Sequence, residues 1–250
     1  MKKIILTTII SCTSTVFTLS TCLAQDVVVL NNGTPRSGEI IGFGDGKVRL
    51  QIGQGGQKAT TSIAMDQVKS ITKSAPASFE KALEAWKKND AKTTIADLTP
   101  LFEKFNGLPT TWAERIGPLL ADANIEVGNT DAAAAALQKF EAAYPDASNV
   151  SNLTKAKIAV SKKDYGAAKT LLAPIVAQGS ETKLADTAQS IAFGQAFYLM
   201  AQIREQEGAY PEAVQDYLRT ATIFFADPAT TDKARARADE LIAEKNVVVP

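Results

Sequence analysis

Hydrophobic positions along the chain follow two rhythms: up to about residue 73 they favour every second position, and from residue 78 onward they recur at three- and four-residue intervals. The first period belongs to strands and the second to helices. Asp26–Leu30 is a β-branched run, and Asn31-Asn32-Gly33-Thr34 after it is turn chemistry. A second strand is predicted over 37–43 and a third over 47–52, where Val48, Leu50 and Ile52 alternate with Lys47, Arg49 and Gln51; Gly44-Asp45-Gly46 turns one into the other. Gln54-Gly55-Gly56 predicts another turn, a fourth strand lies within 58–63, and Met65-Asp66-Gln67 connects it in one turn to a fifth at 68–71. Strands so short and closely spaced predict a small, strongly bent five-stranded β-barrel over 26–73.

Beyond the linker Ser74-Ala75-Pro76-Ala77 the pattern predicts helices over 78–245. Ser78 is the expected N-cap of the first, with Phe79, Ala82, Leu83 and Trp86 on one face. Ile95, Leu98, Phe102 and Phe105 stripe a second helix bent at Pro100. A third carries Trp112, Ile116 and Leu120 with a break or kink at Gly117-Pro118. Ala134, Leu137, Phe140 and Tyr144 face the core from a fourth, and the fifth and sixth turn at Lys163-Asp164-Tyr165. A long helix over roughly 182–207, with Leu184, Ala188, Ile191 and Phe197 in its stripe, leads to the sharpest local signal, Glu207-Gly208-Ala209-Tyr210-Pro211. Gly208 can end one helix left-handed, and Pro211 can open the next, where its missing N–H costs nothing. Thr231 or Asp232 is expected to start the last helix, and 246–250 is a tail.

In the second helix of that elbow, Ala213 and Tyr217 put a small and then a large residue on one face. The pattern G-x-Y-x-x-A-x-x-x-Y resembles the turn of a tetratricopeptide (TPR) repeat. Leu98, Leu137, Leu172 and Tyr217 stand in the same place, at separations of 39, 35 and 45, the shortest close to the TPR period of ~34 and the others longer. Leu98-Thr99-Pro100 and Leu172-Ala173-Pro174 echo each other as L-x-P. The resemblance implies about four hairpins and a capping helix in a TPR-like α-helical solenoid. Arg204, at a usually aromatic place, and the late Pro228 depart from the family pattern. Residues 26–73, through V-V-L-x-N-G, G-x-I and a closing V-x-x-I, resemble the Sm-like or SH3-like small barrels of exported bacterial proteins. The fold class expected is therefore multidomain β + α.

Residues 1–24 combine Lys2 and Lys3, an apolar and hydroxyl-rich run, and small residues before Gln25, the composition of an export signal peptide. A lipidated Cys12 or Cys22 is the alternative, and no later run is long and apolar enough to span a membrane. Removing the two leader lysines leaves 25 basic against 27 acidic residues, a balance that gives no electrostatic reason to expect nucleic acid. Both cysteines fall in the leader, so no disulfide is expected.

The chain has no histidine, which excludes Ser–His–Asp and Cys–His chemistry and the commonest zinc ligands. Gly42-Phe43-Gly44-Asp45-Gly46 has the glycine density of a phosphate loop but joins two strands with no helix to follow. Glu205 with Glu207, Asp239 with Glu240, and Asp122 with Glu126 are the nearest carboxylate clusters, each on a charged helix face. No catalytic residue, cofactor or metal is expected. In TPR register Tyr198 points from a first helix toward the concave face with Gln195 and Gln202 beside it, and Asp122 and Lys157 occupy comparable places earlier. The expectation is a non-enzymatic scaffold or adaptor of the cell envelope, periplasmic or surface-associated, that binds proteins or peptides through a helical groove and the barrel. The alternatives are a subunit that self-assembles as a homo-oligomer through the barrel edge and Val247-Val248-Val249-Pro250, and a carboxylate-based envelope hydrolase.

Overall fold

The computed structural model describes residues 25–53 and 57–248. The expected export signal over 1–24 with Cys12 and Cys22, the expected turn at 54–56 and the last two residues lie outside these described residues. Five strands come first: β1 (Asp26–Leu30), β2 (Pro35–Gly44), β3 (Lys47–Ile52), β4 (Ala59–Ala64) and, after a 3₁₀ turn at Met65–Gln67, β5 (Val68–Thr72). They form one antiparallel sheet in the order β4-β3-β2-β1-β5. β2 serves two partners, pairing β1 through 35–38 and β3 through 39–44, with a register shift between Ile40 and Gly42. Such an irregularity bends a strand and increases its twist. Asp45 and Gly46 both take positive φ, so the glycine-rich stretch is a tight two-residue hairpin. Val28, Ile40, Val48, Leu50 and Ile63 are buried beneath the sheet.

Among the described residues nine helices follow: α1 (Ala77–Lys87), α2 (Ala91–Phe105), α3 (Thr111–Glu126), α4 (Thr130–Ala143), α5 (Ser148–Ser161), α6 (Tyr165–Glu181), α7 (Thr187–Gln206), α8 (Tyr210–Thr222) and α9 (Pro228–Lys245). Four connections, α1–α2, α3–α4, α5–α6 and α7–α8, share one geometry. Each is three residues long with a left-handed middle residue: Asn89, Gly128, Lys163 and Gly208. At each, the middle amide donates three residues back and the next amide five residues back, as in Asp90 N to Ala85 O, Asn129 N to Asn124 O, Asp164 N to Ala159 O and Ala209 N to Arg204 O. This paired bonding caps the last carbonyls of a helix. Five residues beyond each left-handed position lies a fully buried small or β-branched residue (Thr94, Ala133, Ala168, Ala213), and nine beyond lies a buried large one (Leu98, Leu137, Leu172, Tyr217). The elbows therefore recur at 39, 35 and 45 residues.

Some boundaries differ from the sequence expectation. α1 starts at Ala77 after Pro76, and Ser78 is not its cap. α3 continues as one helix through Gly117-Pro118, so the chain is not interrupted there. In the fourth helix the small core residue is Ala133, with Ala134 half-buried. Asp186 and Gln189 form a reciprocal capping box that starts α7 at Thr187, satisfying two end groups at once. Leu184 is thereby left in the preceding loop, 91% exposed, and Ala188 also faces solvent. Pro228 opens α9 instead of closing the previous hairpin, its fixed φ suiting a first-turn position.

The sheet and the first four helices share one hydrophobic core, in which Val28, Ile40 and Leu50 join Phe79, Leu98, Phe105, Ile116 and Phe140. Trp112 Nε1 donates to the Lys73 carbonyl at 3.0 Å, and Lys73 Nζ lies 2.8 Å from Asp26 Oδ2. Separate clusters lie among α5–α7 and among α7–α9. Glycines set several crossings: a Cβ on Gly117 would meet the Phe140 side chain at 2.7 Å, and one on Gly194 would meet the Phe224 carbonyl oxygen at 2.6 Å.

Candidate functional site

α7 lies between α5 and α9 and touches both. Positions 198, 202 and 205 on α7 and 233, 237 and 240 on α9 are each spaced i, i+4, i+7, so each triplet forms one stripe along its helix. The two stripes face a groove of ≈ 660 Å³, closed on the α5 side by Val160, Lys163 and Tyr165.

Glu205 is the hub of this groove. Arg237 reaches it with two nitrogens, Nη2 at 2.5 Å from Oε1 and Nε at 3.2 Å from Oε2, and the Tyr217 hydroxyl donates to Oε2 at 3.0 Å. These bonds, that from Arg237 foremost, hold the Glu205 carboxyl below its usual range despite partial burial. Arg237 also binds Glu240 at 2.5 Å, so one guanidinium engages both groove carboxylates. The Tyr198 ring tilts against Tyr217 with centroids 5.6 Å apart. Burial, and then the nearby Glu126 and Glu205, raise its hydroxyl above the usual phenol range. Tyr198 is therefore a neutral phenol at physiological pH, able to donate and to accept. Lys163 and Lys233 at the rim are exposed. The groove thus offers a flat aromatic, the amides of Gln202 and Gln206, and two solvated ammonium groups.

Comparison with known protein families, with curated proteins and with solved structures finds no match.

Of the residues singled out from sequence, Tyr198 and Gln202 line the groove together. Gln195, one turn earlier, donates instead to Asp227 Oδ2 at 3.0 Å, just before α9. Burial pushes the Asp227 carboxyl up, but bonds from Gln195 and Thr230 outweigh it and leave the pKa lowered. Asp122 and Lys157 meet each other, Oδ2 to Nζ at 2.6 Å, bridging α3 and α5. The carboxylate clusters disperse: Glu205 goes to Arg237, Glu207 to Lys169, Glu240 to Arg237 and Asp122 to Lys157. Among the described residues no group of three or more metal-ligating side chains comes together. Asp216 is the carboxyl with a raised value, pushed up to about 6 by burial against the pull of Arg204 and Arg219. Its side chain is 1% exposed and bonded to Arg204 at 2.6 Å, so no ligand in the groove can reach it.

Sequence reasoning missed Lys163, Tyr165, Glu205 and Arg237 as groove residues. Glu205 was legible, because extending the Tyr198–Gln202 stripe by three positions reaches it. Arg237 was not, because its place depends on α9 packing beside α7.

Proposed function

We propose that the chain is a non-enzymatic cell-envelope scaffold or adaptor in which a small Sm-like or SH3-like barrel precedes a TPR-like array, and that the array holds an extended peptide segment of another protein in the α5–α7–α9 groove. The four equivalent elbows support the repeat reading, as does the contact of first helix with first helix along the row, α3 with α5, α5 with α7 and α7 with α9. Stacked hairpins make curved grooves from their first helices without needing a reactive residue. For the barrel, the support is the strand order with β2 bent between two partners. The leader composition of residues 1–24 supports export to the periplasm or cell surface.

The observation that carries the reading is the groove itself. Its acids are held by internal partners, while Tyr198 and Gln202 line it from α7. A neutral tyrosine beside an amide suits a peptide backbone, offering a flat contact area together with donors and acceptors. The test places a photo-crosslinking side chain at position 202 in the full-length protein within its native envelope, with position 169 on α6 as control. A discrete adduct at 202 that Tyr198→Ala reduces about tenfold or more supports the reading, on the scale of a lost aromatic anchor. Equal labelling at both positions, or an adduct indifferent to Tyr198→Ala, refutes it.

A further inference from the structure

The two edges of the sheet are unlike. At the β5 edge, Lys69 lies within a five-residue strand, the pairing with β1 shifts at Val29/Leu30, and Lys73 just beyond is tied to Asp26 and to Trp112. A charge, a bulge and shortness are the usual protections of an edge. The β4 edge, only one residue longer, has neither the charge nor the bulge. Ala59-Thr60-Thr61-Ser62-Ile63-Ala64 pairs with β3 in unbroken register, carries no charge or proline, and is exposed over residues 59–62.

We propose that β4 pairs with β4 of a second copy of this chain, in antiparallel register about a two-fold axis at Ser62. The symmetry restricts the choice, because an axis perpendicular to two antiparallel strands must place one residue opposite its own copy. Centring on Ser62 sets Thr61 opposite Ile63 and Thr60 opposite Ala64. It also brings Lys58, just before the strand, to the end of the ladder where Asp66 stands in the 3₁₀ turn just after the partner strand. Both charged side chains are exposed, and two-fold symmetry forms the pair twice. The faces agree as well. Thr61 shares the core side of the strand with buried Ile63, while Thr60, Ser62 and Ala64 share the outer side. Centring on Thr61 instead would set Lys58 opposite Ala64 and leave Asp66 opposite nothing of opposite sign. Cross-strand pairs of β-branched and hydroxyl side chains favour this contact.

The joined edges are short, well under the ~1,200 Å² of a stable interface, so the association is reversible and concentration-dependent. It is independent of the groove. The experiment is sedimentation velocity of the full-length protein from micromolar to near-millimolar concentration. A monomer–dimer equilibrium is expected for the wild type. Lys58→Glu and Asp66→Lys should each weaken it about tenfold or more, since each reversal replaces two opposed pairs by two like-charge pairs. Combining them restores opposite charges across the axis and should return the dimer, a recovery that general damage to the fold would not produce. A wild type that stays monomeric throughout, or a double variant no better than the singles, overturns the proposal. So does a dimer indifferent to both reversals but abolished by Phe225→Ser, which would move the contact to the exposed apolar loop between α8 and α9.

Discussion

Replacing Gly194 by alanine tests how the C-terminal helices pack. Gly194 lies inside α7, where alanine by itself should stabilise the helix by about 1 kcal/mol. The added Cβ, however, would stand 2.6 Å from the Phe224 carbonyl oxygen and 3.3 Å from its Cβ. Backbone cannot turn aside like a flexible side chain, so α7 and residue 224 must separate by about 0.8 Å to reach ordinary contact. That movement disturbs the stack of Phe224 on Phe197 (5.5 Å, 9°) and its edge contact with Phe193 (5.4 Å, 67°), each worth about 0.5–1.5 kcal/mol beyond burial. It also strains the bond from Thr220 Oγ1 to the Gly194 carbonyl. With overpacking at about 1–3 kcal/mol, about 1 kcal/mol added for the disturbed ring contacts and the helix gain of about 1 kcal/mol subtracted, the net loss is about 1–3 kcal/mol. At roughly 2–4 °C per kcal/mol for a chain of this size, Tm should fall by about 2–12 °C. Thermal and urea unfolding followed by circular dichroism measure it. Gly166→Ala is the control, because at the second residue of α6 its nearest neighbour is Asp164 Oδ1 at 3.8 Å and the change should be neutral or stabilising by about 0.5 kcal/mol. A Gly194→Ala protein at least as stable as wild type would refute the close approach of α7 to Phe224.

Two further outcomes follow from single groups. Asp216, raised to about 6 by burial, keeps in the folded state a proton that the unfolded chain releases near pH 3.9. Its contribution is therefore most favourable below the unfolded value and is lost as pH rises through about 6. The stability of wild type relative to Asp216→Asn, measured by urea unfolding, should be lower at pH 7 than at pH 4 by roughly 1–3 kcal/mol, and a pH-independent difference would contradict this. Lys163 is a left-handed residue with φ 60 at the third elbow, where a side chain costs about 1–2 kcal/mol and glycine returns part of that as unfolded-chain entropy. Lys163→Gly should raise the urea midpoint by the equivalent of about 0.5–1 kcal/mol, whereas Gly208→Ala, with φ 78 and open space around it, should lower it by about 1 kcal/mol.

The elements that could be read from sequence are those whose causes are local. β1 and β3 have the expected ends because a β-branched run before a turn at Asn31–Thr34, and an alternating stretch after the Asp45-Gly46 turn, act locally. The elbow at Gly208 is as expected because a left-handed glycine and an early proline act within a few residues. The long helix before it was misplaced by about five residues. Its apolar pattern runs back through Leu184, and only the capping box at Asp186 shows where the chain turns. For the groove, stripe geometry led to Tyr198 and Gln202 but also to Gln195, which shares their helix and bonds instead to Asp227. Asp122 and Lys157, singled out separately, turn out to be partners across 35 residues of chain.

The order of strands and helices, the spacing of the hairpins and the large buried residue in each second helix were determined by the sequence alone, through the two hydrophobic periods and the turn positions. Tertiary structure decided the rest. Glu205 and Glu207 lie two residues apart, yet one faces the groove and is held by Arg237, 32 residues away, and the other turns outward to Lys169, 38 residues away. A helix aims positions i and i+2 in different directions, and what each one meets is set by which helices pack alongside. The same packing made the sheet and the first four helices share one core, because the short β-strands bury their apolar face only where α2 and its neighbours cover it.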